Sequence, residues 1–92
     1  MILTFDQAAF KHRITKDEIR ELLADPATEE FELTPSRVGN YRIMYVGFTL
    51  MGRLLEVGIE CVDAPEDVFL HVYHAQPATT QYRELYDKAK GR

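Results

Sequence analysis

The spacing of apolar residues changes twice along this chain, and these changes constrain the fold more than any single motif. Between residues 15 and 25, apolar side chains recur every three or four positions, as on one face of an α-helix. From residue 29 to residue 75 they recur mostly at every second position, as they do in strands of a sheet. Helical spacing returns from about residue 79. This order predicts an α+β fold.

Capping residues indicate where the first helices begin. Asp6 is suited to cap a short helix that ends near Arg13. Thr15 and Glu18 have the spacing of a capping box, in which each side chain accepts from the backbone amide of the other residue. The second helix starts there and is stopped by Pro26, because a proline disfavours helical geometry at the residue before it.

Alternating segments predict about four strands, joined by short turns that contain glycine or proline. The segments are 30–33, 41–50, 53–62 and 68–75, followed by a helix at 79–90. Consecutive strands joined by short turns pair antiparallel. The expected fold is therefore α+β: two N-terminal helices, an antiparallel meander sheet of about four strands, and a C-terminal helix, with the helices on one face of the sheet.

Length and composition limit the class of protein. Ninety-two residues suit a single domain, residues 1–92, and 46% hydrophobic with 28% charged residues is ordinary for a globular protein. No apolar run has the length of a membrane span, and the N-terminus lacks the apolar core of a signal peptide. The single cysteine, Cys61, fits a reducing compartment. These features predict a cytoplasmic protein that does not enter membranes.

The charge is acidic overall and unevenly distributed. The net charge is −4, and residues 1–34 carry eight acids against four bases, while residues 35–92 carry seven of each. Strong binding to RNA needs clustered Lys and Arg, so the balance disfavours it, although Arg42 and Arg53 remain candidates for a local basic patch. The acidic N-terminal part would suit a basic protein partner, but such a charge pattern is more often a solvated helix face.

The junction between the last strand and the last helix carries the chemistry. His74 and Gln76 lie at the strand end, just before Pro77 and the helix. A histidine titrates near neutral pH and can serve as general acid or base. Strict alternation places His71 on the opposite face from His74, so the two are not expected to act as a pair. Scattered histidines and one cysteine predict no metal site, and no glycine-rich loop indicates a cofactor.

Several segments, taken in order, resemble the BrnT-type toxins, a branch of the RelE/ParE-like ribonuclease toxins of bacterial toxin–antitoxin pairs. Each motif is short, and the ordered set covers most of the chain from Phe10 to Tyr86. The matching segments are Phe10-Lys11-His12, Ile14-Thr15, Asn40-Tyr41-Arg42-Ile43, Val46-Gly47, Gly52-Arg53-Leu54-Leu55-Glu56-Val57, His74-Ala75, Ala78-Thr79 and Tyr82-Arg83-Glu84-Leu85-Tyr86.

The resemblance implies a compact helix-and-sheet fold, RNA cleavage without a metal, and an antitoxin protein as partner. Arg42 and Arg53 match the family's basic residues on the central strands. Gln76 departs from the family, which usually has a phosphate-binding arginine there, and His74 lies near the family's serine. The candidate site is then His74 as acid or base, Arg42 and Arg53 on phosphate, and Gln76 and Glu56 in support.

Structural interpretations of the same residues remain open. In these interpretations His74 only caps the helix that follows, Arg42 pairs with a strand acid, and Arg53 is a solvated turn residue. The chain is accordingly either a metal-independent endoribonuclease or a non-catalytic protein-interaction module on the same scaffold. A symmetric homodimer through an uncovered sheet face or edge is compatible with both.

Overall fold

The computed structural model describes residues 1–92 as an α+β fold with two α-helices and one five-stranded mixed sheet. Neither helix has the length and apolar character of a membrane span. In chain order the elements are β1 (Ile2–Phe5), a 3₁₀ turn (Gln7–Phe10), α1 (Lys16–Ala24), β2 (Glu29–Glu32), β3 (Tyr41–Phe48), β4 (Leu54–Asp63), β5 (Val68–Pro77) and α2 (Thr80–Ala89).

The strands lie in the order β1-β5-β4-β3-β2. Strands β2 to β5 form the expected antiparallel meander, with Phe48 opposite Leu54 at the β3–β4 hairpin. β1 adds a fifth strand at the far edge and runs parallel to β5, with Thr4 beside His71. The expected sheet of about four antiparallel strands is therefore wrong, because an N-terminal strand joins it.

β1 was not expected because its pairing is not local. Ile2–Phe5 is only four residues long and has no clear alternation, and its partner β5 lies more than 60 residues further along the chain. Asp6 caps the following segment as expected, accepting a hydrogen bond from the Ala8 amide at 2.9 Å. That segment is a single 3₁₀ turn, so the prediction of two N-terminal α-helices is wrong, and only α1 precedes the meander.

α1 forms as the sequence predicts. The Thr15 hydroxyl accepts a hydrogen bond from the backbone amide of Glu18, and the Glu18 carboxylate accepts one from the backbone amide of Thr15, each at 3.1 Å. Ile19 and Leu22 are fully buried against the sheet, and the helix ends at Ala24, two residues before Pro26. The capping box and the apolar stripe therefore specify both where this helix begins and which side it buries.

The two helices cover opposite faces of the sheet, which corrects the expectation that both lie on one. Alternate residues of β4 separate into two apolar clusters: Leu55 packs with α1, and Leu54 packs with α2. The cluster on the α1 face is Ala9, Ile14, Ile19, Leu22, Leu55, Val57, Ile59, Val72 and Ala75. The cluster on the α2 face is Met44, Val46, Leu54, Ala78 and Tyr86. Both faces of β3 and β4 are buried because each face has its own helix.

A β-bulge interrupts the pairing of β5 with β4. His74 lies opposite Gly58 and Val72 lies opposite Ile59, so Tyr73 is the extra residue. A side chain at Gly58 would place its Cβ only 2.9 Å from the Tyr73 ring, and the glycine therefore leaves room for the aromatic ring. The bulge shifts the alternation by one residue, and it determines which side chains of β5 share a face.

Candidate functional site

The bulge brings His71 and His74 to the same face of the sheet. His71 lies opposite Glu60 and His74 lies opposite Gly58, and these two positions of β4 point to one side. Two residue steps along a strand separate them, about 7 Å. The expectation that the histidines lie on opposite faces is wrong, because it assumed an uninterrupted strand. Their common face is the α2 face, in the part that α2 leaves open.

His74 is held by a buried carboxylate. Its Nε2 lies 2.9 Å from Glu56 Oε2, and the side chain is 27% exposed while Glu56 is 3% exposed. The hydrogen bond engages only Nε2, so Nδ1 remains to meet a ligand. A carboxylate that accepts from one ring nitrogen fixes the tautomer and leaves the other nitrogen as the base. The pair is therefore an oriented imidazole with access to solvent.

Glu56 also anchors the start of α2. Its Oε1 accepts from the Thr79 backbone amide at 2.7 Å, and Gln76 Nε2 donates to Oε2 at 3.3 Å. The Thr79 side chain makes no capping hydrogen bond. The Glu56 carboxylate, on β4, caps the N-terminus of α2 in its place. His74, Gln76 and Glu56, expected to share a site, are thus brought together in one hydrogen-bond network.

His71 has two polar neighbours supplied by the N-terminal strand and turn. Its Nδ1 lies 2.8 Å from the Thr4 hydroxyl, and its Nε2 lies 3.7 Å from Asp6 Oδ2. The side chain is 36% exposed. The Asp6 carboxylate faces this ring nitrogen, and the partial exposure of the side chain leaves the ring within reach of a ligand. Sequence reasoning missed this residue because it missed both the bulge and β1.

Arg42 reaches this face from β3. Its guanidinium lies 5.8 Å from the centre of the Tyr73 ring, and its Nε donates to the Thr34 carbonyl at 2.8 Å. Burial raises the pKa of the Tyr73 phenol, with the Arg42 charge acting in the opposite direction. The hydroxyl is therefore protonated at neutral pH and available as a donor. The carboxylate of Glu60, which lies opposite Arg42, accepts a hydrogen bond from the side-chain amide of Asn40 at 2.7 Å.

Arg53 is not part of this group. It precedes β4 at the hairpin end, and its guanidinium pairs with Glu18 of α1 at 2.9 Å. α1 covers the face opposite to the one that carries His74 and Glu56. The sequence predicted both arginines near His74 because it predicted both on central strands. The side chain of Arg53 instead points to the face that α1 covers, where it pairs with Glu18.

The assembled face can offer two imidazoles, one guanidinium and one phenol to a ligand. These groups suit proton transfer beside a phosphate, and no three His, Cys, Asp or Glu side chains come together in a group that could hold a metal ion. A scan against protein-family models and a search of curated proteins each find no match to the chain. The chemistry of the site is therefore inferred from its geometry.

Proposed function

We propose that this protein is a metal-independent ribonuclease that acts through His74 and His71. The observation that carries the proposal is the bulge at Tyr73, which turns two partly exposed imidazoles onto one open face of the sheet. Each imidazole has a carboxylate beside it, Glu56 for His74 and Asp6 for His71. Cleavage of RNA without a metal needs one base and one acid on either side of a phosphate, which such a pair supplies.

The two histidines take different roles because their neighbours differ. His74 donates from Nε2 to Glu56 and accepts the proton of the ribose 2′-hydroxyl at Nδ1. The 2′-oxygen then attacks phosphorus, the bond to the 5′-oxygen breaks, and a 2′,3′-cyclic phosphate forms. His71, which lies beside Asp6, acts as the general acid and gives a proton to the leaving 5′-oxygen. Arg42, whose guanidinium lies against the Tyr73 ring, and the Tyr73 hydroxyl would bind the phosphate oxygens.

An open sheet face also suits single-stranded RNA. Proteins commonly bind unpaired RNA by stacking its bases on aromatic side chains of a sheet, and Tyr73 lies on this face next to both histidines. The proposed biological role is the toxin component of a type II toxin–antitoxin pair, neutralised by an antitoxin protein. The resemblance of the sequence motifs to the BrnT-type toxins supports that role.

The cleavage proposal is tested with purified protein and a fluorescent single-stranded RNA in excess EDTA. We expect cleavage that ends in a cyclic phosphate, with the rate reduced about 10²- to 10⁴-fold by His74→Ala and by His71→Ala. His12→Ala is the matched control, since this exposed histidine lies in the turn after the 3₁₀ segment and should leave the rate unchanged. Equal rates for wild type and His74→Ala would show that a contaminating nuclease acts instead.

The toxin role is tested by induced expression in a bacterial host. We expect growth to stop with the wild-type chain and to continue with His74→Ala, because the loss of cleavage removes the cause of arrest. Immunoblotting must show equal amounts of both proteins. Growth that continues at full rate with abundant wild-type protein would contradict the role, even if the purified protein cleaves RNA.

A non-catalytic protein-interaction module is the second candidate, and two observations favour it. Arg53 is paired with Glu18, and Nε of Arg42 already donates to the Thr34 carbonyl, so only part of one guanidinium can meet a phosphate on this face. The three surface concavities lie around the C-terminal half of α1, and none is lined by His74. A protein without cleavage in the EDTA assay, but with a stable protein complex in cells, would establish this function.

A further inference from the structure

The β3–β4 hairpin exposes two large apolar side chains at its tip. Leu50 and Met51, at its tip, are 86% and 87% exposed, and Phe48 just before them is partly exposed. Burial of large apolar side chains is the main source of stability in a small domain, so two such neighbours left in water are unusual. Adjacent exposed apolar side chains of this size are typical of surfaces that contact another molecule.

An open groove lies beside this tip, between the hairpin and the C-terminal half of α1. It measures about 550 Å³ and is lined by Phe48, Thr49, Leu50, Glu21, Ala24 and Asp25. One oxygen of Glu21 accepts from the Leu50 amide at 3.1 Å, which ties the hairpin to the helix and fixes the wall of the groove. We call the groove together with Met51 the hairpin groove.

The charges around the hairpin groove determine what kind of partner fits it. Glu21 and Asp25 form its α1 side, and the last turn of α1 contains no basic residue. The negative end of the helix dipole adds to these two carboxylates. An occupant therefore needs apolar side chains toward Leu50 and Met51 and positive charges toward α1.

We propose that the hairpin groove binds a basic amphipathic helical segment of another protein. The apolar face of such a helix would cover Leu50 and Met51, and its Lys and Arg residues would meet Glu21 and Asp25. The carboxylates of Glu21 and Asp25 disfavour binding of an anionic lipid surface or of a second copy of this chain, because either would bring like charges together.

This surface is separate from the histidine face. Phe48 and Leu54 pair at the hairpin end, and the nearer of the two histidines, His74 opposite Gly58, lies four residues further along β4, about 13 Å away. Partner binding at the groove therefore does not require the proposed cleavage to be correct. Failure of one assay leaves the other unaffected.

The test measures binding of the full chain to a labelled synthetic 18-residue peptide of Leu and Lys, with Leu along one helical face, by fluorescence anisotropy at low salt. We expect saturable binding of this peptide. A second peptide, with Glu in place of every Lys, should not bind. Leu50→Ser combined with Met51→Ser should weaken it at least about tenfold, as the loss of central apolar contacts does. Val38→Ser is the control, because Val38 is 80% exposed in a different loop.

Charge is tested separately. Glu21→Gln combined with Asp25→Asn should weaken binding several-fold and reduce its dependence on salt, while Glu66→Gln, at an exposed position in the β4–β5 turn, should not. Equal weakening by Val38→Ser or Glu66→Gln would show nonspecific attraction and overturn the proposal. Absence of peptide binding, dimerisation through the hairpin in light scattering, or binding to anionic vesicles that Leu50→Ser abolishes would also overturn it.

Discussion

At the scale of single residues, Glu56 links the fold to the site. It is 3% exposed and accepts hydrogen bonds from three different positions, His74, Gln76 and the Thr79 amide. A buried carboxylate is tolerated only with such partners, because an unpaired charge in the interior costs several kcal/mol. The same side chain therefore orients the imidazole and fixes the start of α2.

Glu56→Gln tests this double role with almost no change in shape. A glutamine amide has one oxygen and one NH₂ group, so it cannot accept from both His74 and the Thr79 amide. We expect a loss of about 1–3 kcal/mol in the free energy of unfolding. Urea denaturation measures it, and the nitrogen chemical shifts of His74 should show the proton moving from Nε2 to Nδ1. Glu66→Gln should change neither, and a Glu56→Gln variant as stable as wild type would contradict the role.

At the scale of elements, the sequence predicts what is local and misses what is not. The capping box of α1 and the alternation of Leu55, Val57 and Ile59 are set by neighbouring residues, and both appear in the structure as expected. β1 pairs only with β5, and a four-residue segment with three apolar side chains does not by itself distinguish a strand from the entry to a helix. No local pattern contains that information.

The site follows the same rule. Glu56, Gln76 and His74 could be grouped from the sequence because they lie at adjacent positions of neighbouring strands. His71 could not, since an alternation argument has no means of locating an extra residue. Gly58 is the one local sign of the bulge, because a glycine in the middle of a strand often marks a close approach by another side chain. The contribution of Tyr73 to the face depends on that glycine.

At the scale of the whole molecule, the central strands join the two apolar layers. β3 and β4 contribute to both clusters: Leu55 lies in the α1 layer, and Leu54, the adjacent residue, lies in the α2 layer. Neither layer can lose its packing without disturbing the strands on which the other depends. The expectation that residues 1–92 form a single domain can therefore be tested as cooperativity.

We expect one unfolding transition, reported equally by both faces of the sheet. Fluorotyrosine introduced at the five tyrosines provides the probes, because Tyr45 packs with the α1 layer and Tyr82 with the α2 layer.

Leu22→Ala empties a site in the α1 layer and Leu54→Ala empties one in the α2 layer. Each should cost about 2–5 kcal/mol and shift the denaturant midpoint of both tyrosine signals together. Leu50→Ala, at the exposed hairpin tip, should leave both midpoints in place. A Leu54→Ala variant in which only the Tyr82 signal shifts would mean that the layers unfold separately, and the central strands would then not couple the two faces.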